Sequence, residues 1–333
     1  MAESAEERLT LSFYKYAQIA NPELFRDHLY ITLDNLGVLG RIYVANEGIN
    51  AQVSMPTANL EKFREALYSI TFLNGIRLNI AVDDDGRSFF KLKIQLKEKI
   101  VADGLSDETF DPSNKGKHLS APEFNEIAKD ANTVIVDMRN HYESEVGHFE
   151  GAICPDVDTF REALPVVEEM LADQKDKNLV MYCTGGIRCE KASAYYKHRG
   201  FENVYQLEGG IIKYAQDAKD AGLPVLFKGK NFVFDERLGE RITEDIISKC
   251  HQCGKPCDDH TNCKNVGCNL LFIQCEECAA QHEGCCSNEC REVTQMSEED
   301  QKAWRKANNT GVRIFSKGRF DPEKLQGMSM AGG

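Results

Sequence analysis

The segment of this chain best suited to chemistry is Cys183-Thr184-Gly185-Gly186-Ile187-Arg188. A cysteine followed by two glycines lets consecutive backbone N–H groups turn inward around the sulfur. A helix directly after it adds the positive end of its dipole. Both effects stabilise a thiolate, and Arg188 adds a fixed positive charge at the rim of the loop. The expected result is a lowered thiol pKa and a nucleophile ready at neutral pH. A lone buried cysteine usually just fills space, but the glycine pair and the arginine five residues on separate Cys183 from that bland use. Cys189, next to Arg188, could resolve a persulfide or disulfide on Cys183. Its commoner use would be a helix residue facing the core.

A second constellation is the run of ten cysteines between Cys250 and Cys290, out of 13 in the chain: Cys250, Cys253, Cys257, Cys263, Cys268, Cys275, Cys278, Cys285, Cys286 and Cys290. The short pairs Cys250/Cys253 and Cys275/Cys278 each supply half of a tetrahedral site. Ten thiols with His251, His260 and His282 suffice for two structural zinc sites, each of four thiolates or of three thiolates and an imidazole. Spacing leaves the partition open, and an iron–sulfur cluster competes because soft thiolates also select iron. Closed thiolate sites serve folding or partner binding, not catalysis. The first residues, MAESAEER, lack the basic and apolar regions of a signal peptide. No apolar run reaches the roughly 18 residues a bilayer span requires. The expectation is therefore a cytoplasmic chain, away from membranes, with reduced thiols that bind metal instead of forming disulfides.

These residues need elements to position them. The 333 residues predict two or three domains at roughly 150 residues each. Strand signals over 9–16, 40–45, 49–53, 76–82 and 89–100 enclose helices over 22–36 and 57–69, with Thr57 as N-cap and Asn46-Glu47-Gly48 as a hairpin turn. The order βαββαβ plus one strand predicts a ferredoxin-like, acylphosphatase-like α+β domain over 1–102. Residues 103–116 read as a polar linker. Over 117–224, apolar strands at 133–138, 179–182 and 204–207 alternate with helices at 122–129, 158–172 and 188–198, which predicts a doubly wound α/β domain. The cysteine-rich metal-binding segment spans 225–296. A basic tail, 297–333, ends in a Gly-rich stretch expected to be disordered.

Asp137-Met138-Arg139, Glu143 and Gly147-His148-Phe149-Glu150-Gly151-Ala152 together resemble the first signature of rhodanese domains. CTGGIRC resembles their active-site loop, and Leu207-Glu208-Gly209-Gly210 their closing strand and turn. The resemblance implies sulfane sulfur carried on Cys183, a structural role for His148, and a supporting ion pair of Arg139 with Glu143 beside Asp137. Cysteine phosphatases hold phosphate in a longer cysteine-to-arginine ring than the four residues that intervene here, so this loop suits a smaller group. With Ala45–Asn50, Lys228–Arg237 and Cys250–Gly254 included, the whole chain resembles the rhodanese-domain tRNA uridine(34) hydroxylases. That resemblance implies an oxidoreductase forming 5-hydroxyuridine at the wobble position of tRNA, with molecular oxygen as co-substrate and the loop cysteine required. No flavin, haem or nicotinamide motif is seen.

Forty Lys+Arg against 53 Asp+Glu give a net charge of -13, which argues against a generally cationic nucleic-acid binder. Two local stretches run the other way: Arg87, Lys91, Lys93, Lys97 and Lys99 against Glu98 alone, and the tail from Asp300. The four lysines share odd numbers, so in a strand they would project from one face. That spacing fits a charged solvated strand as well as an RNA surface, and it is the resemblance that implies a tRNA anticodon loop there. Two other functions compete: a sulfurtransferase carrying a persulfide on Cys183, and a non-catalytic, zinc-dependent RNA-binding module.

Overall fold

The computed structural model describes residues 7–83, 86, 88–106, 110–308, 310 and 318–323. The first part runs β1 (Arg8–Tyr16), α1 (Pro22–Asp34), β2 (Leu39–Ala45), β3 (Gly48–Pro56), α2 (Leu60–Tyr68), β4 (Asn79–Ile80) and β5 (Leu92–Leu96). Its sheet has the order β4-β1-β3-β2-β5. β5 lies parallel to β2 and the other neighbours are antiparallel. This is the α+β layout expected, with an extra edge strand. Asn21 starts α1 by accepting from the Leu24 N–H, with proline at the first helical position. Thr57 does not cap α2. It opens a 3₁₀ turn and donates its hydroxyl to Glu7 O at 3.2 Å. The strands read over 76–82 and 89–100 shrink to two and five residues, because both lie at sheet edges and pair on one side only. Leu11, Phe13, Ile42, Val44, Ala51 and Val53 bury one sheet face against Leu29 and Leu33 of α1 and Phe63 and Leu67 of α2. The period of two puts Ser12, Tyr14, Arg41, Tyr43, Asn50 and Gln52 on the other face.

The second part comprises β6 (Lys117–Leu119), α3 (Ala121–Ile127), β7 (Thr133–Asp137), α4 (His141–Ser144), β8 (Gly147–Phe149), α5 (Phe160–Met170), β9 (Asn178–Tyr182), α6 (Ile187–His198), β10 (Asn203–Leu207) and α7 (Gly210–Asp220). A parallel sheet, β6-β10-β9-β7, forms its centre. Alternate residues of β9 serve opposite layers. Leu179 and Met181 pack with Phe160 and Leu164 of α5 and Ala192 and Tyr196 of α6. Val180 and Tyr182 pack with Phe124 of α3 and Ile211 and Tyr214 of α7. Both faces are thus covered, as a doubly wound fold requires. β6 adds a fourth strand to the three expected; with Lys117 and His118 exposed it carries no apolar run. The stretch over 103–116 is more than a tether. Asp103 is buried between Lys99 and Lys191, and Phe110 packs edge-on to Tyr195.

The third part begins with β11 (Phe227–Asn231) and β12 (Glu240–Arg241). β11 pairs with β8 on one side and β12 on the other, so the chain stays on the α/β layer before the cysteines begin. The cysteine-bearing part is built on the hairpin of β13 (His260–Asn262) and β14 (Leu271–Ile273), followed by α8 (Glu276–Gln281), α9 (Asn288–Gln295) and α10 (Glu298–Ala307). Of the basic tail, Arg319 is paired with Asp156 at 2.7 Å, and Phe320 stacks on Phe272. Gly327–Gly333 lie outside the described residues. No described helix is long and apolar enough to cross a membrane.

Candidate active site and cysteine clusters

Cys183 sits at the tip of β9, where the chain turns into α6. The turn depends on Gly186, whose φ of 97° is left-handed and favours glycine. A Cβ there would also stand only 2.9 Å from the Tyr14 hydroxyl. Its N–H points at Cys183 Sγ at 3.2 Å. Behind the loop, Gly210 passes so close that a Cβ would meet Cys183 O at 2.4 Å, and Ile211 N–H donates to that carbonyl at 3.0 Å. Burial opposes ionisation of the Cys183 thiol. A hydrogen bond from the Cys189 thiol, the Arg188 charge and the Arg188 and Cys189 N–H groups overcome it and hold the pKa at about 6. The Cys189 thiol moves the opposite way: burial and its bond to Cys183 push it well above its ordinary value, which keeps it a donor.

Arg188 is not at a rim. It is buried and bound in a two-bond fork to Glu143, Nη1 to Oε2 at 2.6 Å and Nη2 to Oε1 at 2.8 Å. The pairing of Arg139 with Glu143 expected from the sequence is therefore replaced by two separate pairs. Arg139, fully buried, forks onto Asp137 with Nη2 to Oδ2 at 2.6 Å, and it also donates to Gly147 O at 2.5 Å and to Asn231 at 3.4 Å. The two guanidiniums divide the work. Arg139 clamps β7 to β8 and β11, while Arg188 fixes the loop and lends Cys183 its charge. Thr184 Oγ1 reaches Glu143 at 3.4 Å. His148 Nδ1 lies 2.9 Å from Ser144 O, a structural contact away from the loop.

The polar face of the first sheet covers this loop. Lys191 pairs with Glu47 of the β2–β3 turn at 2.9 Å, and Tyr14 OH donates to Glu190 at 3.1 Å. Between them lies a cleft of about 450 Å³, bounded by Cys183, Thr184, Gly185 and Arg188 on one side and by Ser12, Tyr14, Arg41, Tyr43, Asn50, Gln52 and Asn79 on the other. Val233, Phe234, Asp235 and Arg237, just beyond β11, close its end. The sheet residues and Asn79 are absent from the sequence-based candidates. The alternation in LTLSFYKY and INAQV marks a polar face but says nothing of what that face meets.

The expected basic strand is only partly a surface. Lys91, Lys93 and Lys97 are exposed, and Lys97 Nζ lies over the Tyr43 ring at 5.2 Å. Lys99 falls beyond the end of β5, and its Nζ is held by Asp103 at 3.0 Å and Leu105 O at 2.7 Å, so it does not share their face. Arg87 lies outside the described residues.

Eight of the ten clustered cysteines form two groups, Cys250/Cys253/Cys275/Cys278 and Cys263/Cys268/Cys286/Cys290, with all ligand atoms of a group within 4.8 Å of one another. Alternate pairs along the chain combine, so the two sites interlock. The sulfur separations Cys253–Cys275 and Cys268–Cys286 are both 3.7 Å, and Cys286–Cys290 is 3.8 Å. A tetrahedron with metal–sulfur bonds of about 2.3 Å has edges of about 3.8 Å, so both groups fit a zinc-sized ion. Cys257 and Cys285 belong to neither group, nor do the three histidines. Instead, His251 Nε2 meets Glu145 at 2.8 Å.

Family models match in three consecutive spans: an acylphosphatase-like UPF0176 domain over 8–100, a rhodanese-like domain over 120–217 and a rhodanase C-terminal segment over 228–291. The tRNA uridine(34) hydroxylase of Photorhabdus laumondii is 59% identical over 320 residues, covering 96% of this chain and 91% of that one. Those of Pectobacterium carotovorum and Yersinia pestis are 57% and 56% identical, each over 96% of this chain and 90% of theirs. By this near full-length similarity, and with an activated cysteine in the matched rhodanese-like span, the chain belongs to the tRNA uridine(34) hydroxylase family.

Proposed function

We propose that the protein 5-hydroxylates uridine at the wobble position of tRNA, with Cys183 as its catalytic group. The observation that carries the chemistry is the Cys183 loop itself, which faces a polar cleft with the Gly186 N–H on Sγ at 3.2 Å and its thiol pKa lowered to about 6. At pH 7 roughly nine-tenths of such a group is thiolate. Addition of the Cys183 sulfur to C6 of the uracil would raise electron density at C5, which takes one atom of molecular oxygen. Two electrons and two protons from an external reductant carry the other atom off as water. Loss of the C5 proton then breaks the S–C6 bond and releases the Cys183 thiolate. Cys189 holds the thiolate by its S–H, and Thr184, Glu143 and Arg188 fix the loop. The reaction is of the monooxygenase type, and the nucleotide is an anticodon-loop base turned out of its stack. The two thiolate clusters would hold structural zinc, which supplies folding energy to the C-terminal part and takes no step in the reaction. Domains over 1–102, 117–224 and 225–296 belong to the same reading, supported by the three matched spans.

The test is nucleoside mass spectrometry of tRNA from cells lacking their own enzyme and expressing this chain or its Cys183→Ser variant. The expected result is 5-hydroxyuridine derivatives with the first and none with the second. Hydroxylation by Cys183→Ser at the wild-type level refutes the mechanism, and loss of thiolated nucleosides instead would establish the sulfurtransferase.

A further inference from the structure

Five residues directly opposite one another form a single row across the first sheet. Asn79 pairs with Ser12, Ser12 with Gln52, Gln52 with Arg41, and Arg41 with Lys93. Cross-strand partners share a face, and strands stand about 4.8 Å apart, so the row is roughly 19 Å long. Its inner end overhangs the cysteine loop: a Cβ placed on Gly185 would lie 3.7 Å from Asn79 Nδ2 and 3.9 Å from Ser12 Oγ. Its outer end is the exposed Lys93. Asn79 is only 5% exposed, yet its side chain makes no hydrogen bond within the described protein and lines the cleft. A carboxamide that faces a cleft with no protein partner is free to hydrogen-bond a ligand there.

We infer that this row is the track of the substrate strand, with Asn79 as the residue that hydrogen-bonds the edge of the target pyrimidine above Cys183. Asn79 offers a donor and an acceptor side by side, the pairing that a pyrimidine edge presents in reverse. Ser12 and Gln52 continue the polar floor. Arg41 and Lys93 receive the backbone phosphates as the strand leaves the cleft. Tyr43, beside Arg41 and beneath Lys97, gives a neighbouring base a ring to stack on, as single-strand binding requires. The assignment rests on the tRNA reading above but names, in Asn79, Ser12, Gln52 and Arg41, residues that neither family resemblance nor charge counting selects.

The test uses the full chain and a synthetic anticodon stem-loop carrying uridine at the wobble position. Asn79→Ala should cut cellular hydroxylation about tenfold or more and weaken stem-loop binding about fivefold or more, while the salt slope stays unchanged because the phosphate contacts remain. Arg41→Gln should weaken binding and lower the slope of log Kd against log salt by about 0.7, the share of one single-strand phosphate. If Asn79→Ala does not fold, as judged by its melting temperature, Ser12→Ala carries the same expectation. Full hydroxylation by the folded variant, or an unchanged salt slope in Arg41→Gln, overturns the track. If the wild-type chain gives no 5-hydroxyuridine at all, the tRNA reading falls instead, and the two failures are thereby told apart.

Discussion

Replacing Cys189 by alanine removes the S–H that stabilises the Cys183 thiolate while leaving Arg188 and the loop N–H groups in place. The move of Cys183 from the ordinary 9.0 to about 6 corresponds to about 4 kcal/mol in favour of the thiolate. A hydrogen bond to a charged group contributes about 1.5–3 kcal/mol, and a thiol is a weak donor, so the lower end applies. Cys189→Ala should then raise the Cys183 midpoint by about 1. The measurement is the pH dependence of Cys183 alkylation by a small haloacetamide, read on the Cys183 peptide by mass spectrometry. A midpoint that stays put or falls refutes the assignment of Cys189 as donor.

The same group must leave a trace in stability. Its folded pKa lies below its unfolded value, so its contribution is complete above the unfolded pKa and is lost as pH falls through about 6. The stability difference between wild type and Cys183→Ser should widen from pH 6 to 9, by up to about 1.4 kcal/mol per pH unit. In a Cys189→Ala background the widening should begin about one unit later. A flat difference across that range would show that the thiol is protonated in the folded protein.

Glu143→Gln leaves Arg188 buried without its counter-charge and should cost about 3–5 kcal/mol, measured by denaturant unfolding; a loss under about 1 kcal/mol would mean that the fork is not formed in solution. Cys250→Ser and Cys263→Ser should each lower bound zinc by one equivalent from the two expected, whereas Cys257→Ser and Cys285→Ser should keep both, by elemental analysis of the purified chain. Lys99→Ala should lower the melting temperature and leave the salt slope of RNA binding unchanged, because its charge is already held by Asp103; Lys93→Ala should do the reverse.

The Cys183 loop and the order of the three parts were legible because they are local. A glycine pair after a buried strand, and cysteines at short spacing, impose their geometry within a few residues. What the sequence hid is non-local. Arg139 and Arg188 carry the same charge, and Asp137 and Glu143 both lie within seven residues of Arg139, so nothing in the spacing could say which carboxylate each guanidinium takes. Burial decides it. Asp137 ends β7 beside Arg139, whereas α4 turns Glu143 toward the start of α6, where Arg188 waits. The metal partition follows the same logic, since alternate pairs combine only once the β13–β14 hairpin brings 250–253 beside 275–278. The polar sheet face shows it most clearly. Counting charge directs attention to the lysines of β5, yet the sheet residues that face the loop across the cleft include the uncharged Ser12, Tyr14, Gln52 and Asn79 and one cation, Arg41. A chain with a net charge of -13 can therefore present RNA with a surface that is polar where the base enters and cationic only where the backbone leaves. Net charge describes the whole molecule, while the proposed substrate track draws on one row of five side chains across a single sheet.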